Sequence, residues 1–282
     1  MNVTIFLVRL LVLAVIFING WTDAPNAIAT AVGSGALTFR RGVWLAAACN
    51  FLGTFLSAVF FPAVAATMSD LIVFPGGAWA ALTALCAAML SILLWAVLAW
   101  RFGLPTSESH ALMAGLCGAA LALGGQAARF NSGAWARAIA GLFLSVVAGA
   151  LAGRWACLWL RKRRCSAARW QRRAAGLMAA LHGAQDGQKF MALLLLADSL
   201  GDAEPFSPLT LAVLCASVMA LGTALGGKPI VEKVGTELTA LTPSDGLAAD
   251  LGAGVCLLGC SLLGLPVSTT HAKVAAVCGV GL

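Results

Sequence analysis

Seven stretches of this chain are long and apolar enough to cross a membrane as helices: residues 4–19, 43–67, 79–100, 134–160, 174–200, 208–226 and 246–264. A hydrocarbon core of about 30 Å takes about 20 helical residues. In lipid every backbone polar group must be satisfied within the protein, so only helices and closed β-barrels span it. A barrel would read as ten-residue strands of alternating polarity, and the sequence contains no such pattern. Composition agrees with the helical reading. Only 10% of the 282 residues are charged, against about 25% in a soluble domain. The chain therefore reads as an all-α polytopic membrane protein.

Two polar motifs recur within this apolar background. GLPTSESHALMAGLCG (103–118) returns as GLPVSTTHAKVAAVCG (264–279), nine of sixteen positions being identical at an offset of 161. NGWTDAPN (19–26) has a looser counterpart in HGAQDGQK (182–189), with Gly20 and Asp23 matching Gly183 and Asp186 at an offset of 163. Two different motifs recurring in one order imply a duplicated chain, a pattern common among secondary transporters. We expect two structural repeats, residues 1–160 and 174–282, joined by a basic cytoplasmic loop at 161–173. Span counting leaves parallel or inverted repeats open, and inverted is the expectation.

The motifs are also predicted to interrupt helices. Pro105 and Pro266 follow Gly-Leu and precede Ser, a combination that favours a helix start, where Ser or Thr caps free N–H groups. Gly20 and Pro25 flank Asp23, and Gly183 and Gly187 flank Asp186. Broken and half helices are then expected to meet near the bilayer midplane. A half-helix start presents free N–H groups and partial positive charge, which suits an anion.

The costly side chains gather in the same motifs. All three histidines, His110, His182 and His271, lie there, as do Asp23, Asp186 and Glu108. Ionisable groups within a span mark function by default. Asp23 and Asp186 are candidates for coordinating a cation or carrying a proton. Asn26, Gln188, Ser107, Ser109, Ser268 and Thr269 are candidates for binding an oxyanion. Glu108, His110, His182 and His271 are assigned a gating or structural role. Glu108 faces Thr269 in the second copy, and Lys189 faces Asn26, so neither is symmetric. Two carboxylates would repel an anion unless a cation accompanied it, which favours symport over uniport.

At these residues the sequence resembles the inorganic phosphate transporter (PiT) family, which carries a duplicated Gly-Ala-Asn-Asp motif and a duplicated Pro-x-Ser-x-Thr-His motif. VGTELTALTPSDG (234–246) also resembles a family segment, and the likeness extends over residues 15 to 282. The resemblance implies a phosphate symporter of inverted repeats driven by protons or sodium ions, with Asp23 and Asp186 serving the cation. It places Asn26, Gln188, Ser107, Ser268 and Thr269 near phosphate. Thr22 and Gln185 stand where the family has Asn before each Asp, and Trp21 replaces a small residue. Sulfate is the nearest rival substrate, and an oxyanion channel is the rival mechanism.

The remaining features carry less. Residues 161–173, RKRRCSAARWQRR, hold seven basic residues and no acid, as the positive-inside rule expects of a cytoplasmic loop; nucleic acid is not an expected partner. Residues 4–19 lack a basic leader and a small-residue cleavage site, so they read as a retained helix. The nine cysteines show no ligand spacing and read as small packing residues. Ser107 and His110 lack a third orienting group, so no enzymatic role or cofactor is expected, and no metal beyond a transported sodium ion. The expected setting is the bacterial inner membrane, with lipid, phosphate and a proton or sodium ion as partners, and a homodimer is compatible with this. Only 11 residues follow His271, about half a hydrocarbon core as a helix, so a truncated second half is the expectation.

Overall fold

The computed structural model describes residues 2–74, 76–125, 128–162, 166–237 and 240–282. The first half holds α1 (Asn2–Thr22), α2 (Asn26–Gly33), α3 (Phe39–Phe60), α4 (Ala63–Ser69), α5 (Ala78–Arg101), α6 (Glu108–Gly124) and α7 (Ser132–Arg161). The second holds α8 (Ala167–Gly201), α9 (Pro208–Leu225), α10 (Lys228–Glu232), α11 (Pro243–Leu262) and α12 (Thr269–Gly281), with a π-helical turn at Lys233–Glu237. Two short strands, β1 (Ile72–Val73) and β2 (Arg129–Phe130), pair antiparallel, Ile72 opposite Phe130. The all-α expectation holds. Among the described residues, six segments are long and apolar enough to span a membrane: Val3–Gly33, Phe39–Phe60, Ala78–Arg101, Ser132–Arg161, Pro208–Leu225 and Pro243–Leu262. The protein is multi-pass.

Three expectations are revised. The second Asp motif does not break its helix, because α8 runs unbroken through residues 182–189. The reason lies in one residue. Pro25, which has no N–H and forces the chain out of the helix, separates α1 from α2; at an offset of 163 the second copy has Gln188, which continues the ladder. The expected span 43–67 is divided at Phe61 and Pro62 into α3 and α4. The basic stretch 161–173 is not all loop. Arg161 ends α7 and residues 167–173 open α8, while 163–165 lie outside the described residues. Gln171 in that opening turn is buried and accepts a 2.8 Å hydrogen bond from Ser34, which holds the turn against the chain after α2.

The helices pack closely where small residues meet, as membrane helices do in the absence of a hydrophobic drive between them. At the α1–α9 crossing, a Cβ on Gly222 would lie 2.0 Å from Phe17 O, and one on Gly20 would lie 2.2 Å from Met219 O. Two apolar cores result. One gathers residues of α1, α5, α6 and α9 around Phe190–Leu194 of α8. The other gathers α2, α3, α7, α11 and α12 around Ala174–Leu181 of the same helix. The polar motif of α8 lies between them. Large apolar side chains such as Phe6, Leu94, Phe143, Trp155 and Val255 cover the outside.

Candidate functional site

The two Pro-Ser-His segments fold as their spacing predicts. Gly103 and Gly264 take left-handed φ of 64° and 65°. Each lets the chain leave one helix and start the next within a few residues, a conformation that a side chain would resist. Ser107 and Ser268 are the N-caps of α6 and α12. Their hydroxyls accept from the backbone N–H of His110 (3.3 Å) and His271 (3.1 Å). A helix start leaves four N–H groups without an intrahelical partner, and each Ser takes one of them. Ser107 Oγ also lies 2.8 Å from His110 Nδ1.

These starts face the Asp motifs. Asp23, Glu108, His182, Asp186 and Lys189 are each at most 3% exposed. Asp23 accepts from Thr270 Oγ1 and from Asn26 Nδ2 (2.8 Å). Asp186 accepts from Lys189 Nζ (2.5 Å) and from Asn19 Nδ2 (3.0 Å). Thr269 Oγ1 lies 3.3 Å from Asp23 Oδ2 and 3.5 Å from Asp186 Oδ2, so one hydroxyl touches both carboxylates. Ser109 Oγ donates to Val267 O (3.2 Å) and accepts from Lys189 (2.7 Å).

His182 sits between the two acids. Its Nε2 is 3.3 Å from Asp186 Oδ2 and 3.8 Å from Asp23 Oδ2. The ring's orientation follows from a relay. Thr223 Oγ1 donates to Met219 O (2.8 Å) and so accepts from Asn50 Nδ2 (2.9 Å), which turns Asn50 Oδ1 towards His182 Nδ1 (3.1 Å). Nδ1 is thereby the N–H of the ring. A neutral His182 then aims the lone pair of Nε2 at two carboxylate oxygens. Such a grouping is repulsive unless a proton or a cation lies among the three atoms. Ligand atoms of Asp23, His182 and Asp186 all fall within 4.8 Å of one another.

Other predicted residues are placed differently. Gln188 is committed to α4: its Oε1 accepts from Val64 N (3.1 Å) and Ala65 N (3.3 Å), and its Nε2 donates to Ala184 O. Its carbonyl oxygen is thus engaged by α4, while the second N–H of its amide is left over from the bond to Ala184 O. Glu108 meets Thr22 Oγ1 at 2.5 Å, while among the described residues its buried second oxygen has no hydrogen-bond partner. His110 and His271 face each other with ring centroids 4.7 Å apart and line a groove of about 890 Å³ together with residues of α5 and α6.

Thr270, one of the hydroxyls that the sequence places at a helix start, joins the site at Asp23, whereas sequence reasoning passed over two contributors, Asn19 and Asn50, and one complete cluster. Lys273 on α12 reaches Asp250 on α11, Thr30 Oγ1 (3.0 Å) and Ala27 O (3.3 Å) on α2, all buried. The signal was present, since Asp250 and Lys273 are charged residues inside apolar stretches.

The comparisons with known proteins fit this arrangement. A solved structure, "The sodium-dependent phosphate transporter", superposes with a TM-score of 0.82 over 100% of this chain and 90% of its own, at 22% identity, and so shares the fold. A "Probable low-affinity inorganic phosphate transporter" of Bacillus subtilis (strain 168) is 33% identical over 298 residues, covering 100% of this chain and 87% of that protein. A protein of the same description from Rhizobium meliloti (strain 1021) is 34% identical over 280 residues, 94% of this chain and 81% of its own. The Phosphate transporter family matches residues 19–174 and 167–282. With nearly the whole chain matched in two segments that meet at the basic stretch, the chain belongs to the Phosphate transporter family.

Proposed function

We propose that this protein carries inorganic phosphate across the bacterial plasma membrane together with a cation, proton or sodium ion, by secondary active symport. The observation that carries the coupling is the cluster of His182 Nε2 with Asp186 Oδ2 and Asp23 Oδ2 at 3.3 and 3.8 Å. In a dry interior this grouping holds together only around positive charge. It therefore supplies a reason for an anion to travel with a cation rather than alone. The anion is assigned to the starts of α6 and α12, with their backbone N–H groups, the hydroxyls of Ser107, Ser109, Ser268 and Thr269, and Asn26 as its partners once their present bonds exchange. Asp23 and Asp186 serve the cation, Thr269 touches both acids, and Gln188 fixes α4 against the site. The two halves act as inverted repeats about this centre. The phosphate named for the Bacillus relative and for the superposed structure supports this choice of anion.

Uptake of radiolabelled phosphate into proteoliposomes, with sodium and proton gradients imposed separately, tests the reading. Accumulation above equilibrium that collapses with one of the two gradients is expected, and Asp23→Asn should abolish it. Downhill flux indifferent to both gradients would make the protein a channel. Preferential accumulation of sulfate would move the substrate assignment.

A further inference from the structure

The two Asp sites are built alike but filled differently. In each, the third residue after the acid bridges the acid to a hydroxyl at the start of a half helix of the opposite half. Asn26 Nδ2 bridges Asp23 Oδ1 (2.8 Å) and Thr270 Oγ1 (3.2 Å). Lys189 Nζ bridges Asp186 Oδ1 (2.5 Å) and Ser109 Oγ (2.7 Å). Asn26 and Lys189 correspond at an offset of 163, and Ser109 and Thr270 at 161. A neutral amide occupies one site and an ammonium the other.

We infer that Lys189 is a tethered cation, permanently filling the Asp186 half of the centre, so that each transport cycle carries one coupling cation fewer than two equally filled acid sites would need. The surroundings of Nζ support this. It meets a carboxylate oxygen, a hydroxyl oxygen and the carbonyl oxygen of Val267 (2.5 Å), in the irregular stretch before α12. A carboxylate, a hydroxyl and an unwound-backbone carbonyl are the oxygens that a free monovalent cation selects in transporter sites. All three N–H donors of the ammonium are used, so it has none left for phosphate. It is buried at 1% exposure, and its covalent tether keeps the charge in the site through the cycle. The exchangeable charge then belongs with the other carboxylate oxygens, Asp23 Oδ2 and Asp186 Oδ2, beside His182 Nε2. This reading rests on the symport proposed above.

The coupling ratio tests it. Wild type, Lys189→Asn and Lys189→Arg are reconstituted in proteoliposomes with inorganic phosphate. The cation-to-phosphate ratio is read from the cation gradient that just halts net phosphate flux, and the Hill slope from uptake against the concentration of the driving cation. Wild type and Lys189→Arg are expected to share one ratio with a Hill slope of about 1, whereas Lys189→Asn, with a second open site, gains one cation per phosphate and a slope approaching about 2, the limit set by the number of sites. A purely structural lysine would alter protein yield or maximal rate but not this ratio. Lys189→Asn transporting at the wild-type ratio overturns the inference. So does a wild-type Hill slope of about 2 for the driving cation, a result that decides the matter even if the Asn variant does not fold. Wild-type flux that ignores every imposed cation gradient would instead defeat the symport reading itself.

Discussion

The buried pair Asp250 and Lys273 gives a quantitative test of the packing between α2, α11 and α12. Lys273 is 0% exposed and donates to Asp250, Thr30 Oγ1 and Ala27 O, while Asp250 Oδ2 has no hydrogen-bond partner among the described residues. Lys273→Leu would leave a buried carboxylate held by the 2.7 Å bond from Thr30 alone. Removing one partner of a buried pair costs about 3–5 kcal/mol, and the surviving Thr30 bond puts this case near about 3 kcal/mol. Asp250→Met should cost a similar amount by stranding the ammonium. The double variant should recover most of the loss, because replacing both charges by apolar groups of similar size is often neutral or better. The protein already contains this solution. At an offset of 161 the first half has Met89 and Leu112 at these positions, both buried in its core. The assay is equilibrium unfolding in mixed micelles of mild detergent and dodecyl sulfate, followed by helical circular dichroism. Either single variant costing under about 1 kcal/mol, or a double variant as unstable as its worse parent, would refute the argument, since coupled neighbours must deviate from additivity.

Two further outcomes follow from single contacts. Gly222→Val places its Cβ 2.0 Å from Phe17 O, a backbone atom, so α1 and α9 must separate at a cost of about 3 kcal/mol, visible as lost monodisperse protein in size-exclusion chromatography. Glu108→Gln should retain uptake and lose under about 1 kcal/mol of stability, since a carboxamide can donate to Thr22 Oγ1 while Thr22 donates to Ile18 O (2.8 Å); lost uptake in a well-folded variant would instead make the carboxyl group itself part of transport.

Much of this architecture could be read from residue patterns because the membrane allows few alternatives. Six of the seven expected spans followed from length and hydropathy, the stretch 174–200 within α8 being the exception, and the starts of α6 and α12 followed from Pro and Ser at fixed offsets. The acids of the centre followed from their cost in lipid. What escaped was the pairing of side chains across the fold. Asn50 reaches His182 across 132 positions, and Asn19 reaches Asp186 across 167, distances over which no local pattern operates. The break expected around Asp186 failed because glycines were weighed as breakers. Gly183 and Gly187 stay helical because they make room for α3, where added Cβ atoms would lie 2.4 Å from Asn50 O and 2.5 Å from Thr54 Cγ2. Proline against glutamine was the sharper signal.

The unbroken course of α8 bears on how the protein is made. Its middle carries His182, Gln185, Asp186, Gln188 and Lys189, and it is not among the six segments able to span on length and composition. Each acid or base at a helix centre costs about 2.5–3.5 kcal/mol to insert, so α8 would not partition into lipid alone. It is buried instead against α1, α3 and α11. Two of these helices precede it in the chain and leave the ribosome first, so the first half provides the surface on which the most polar helix of the second half enters the bilayer.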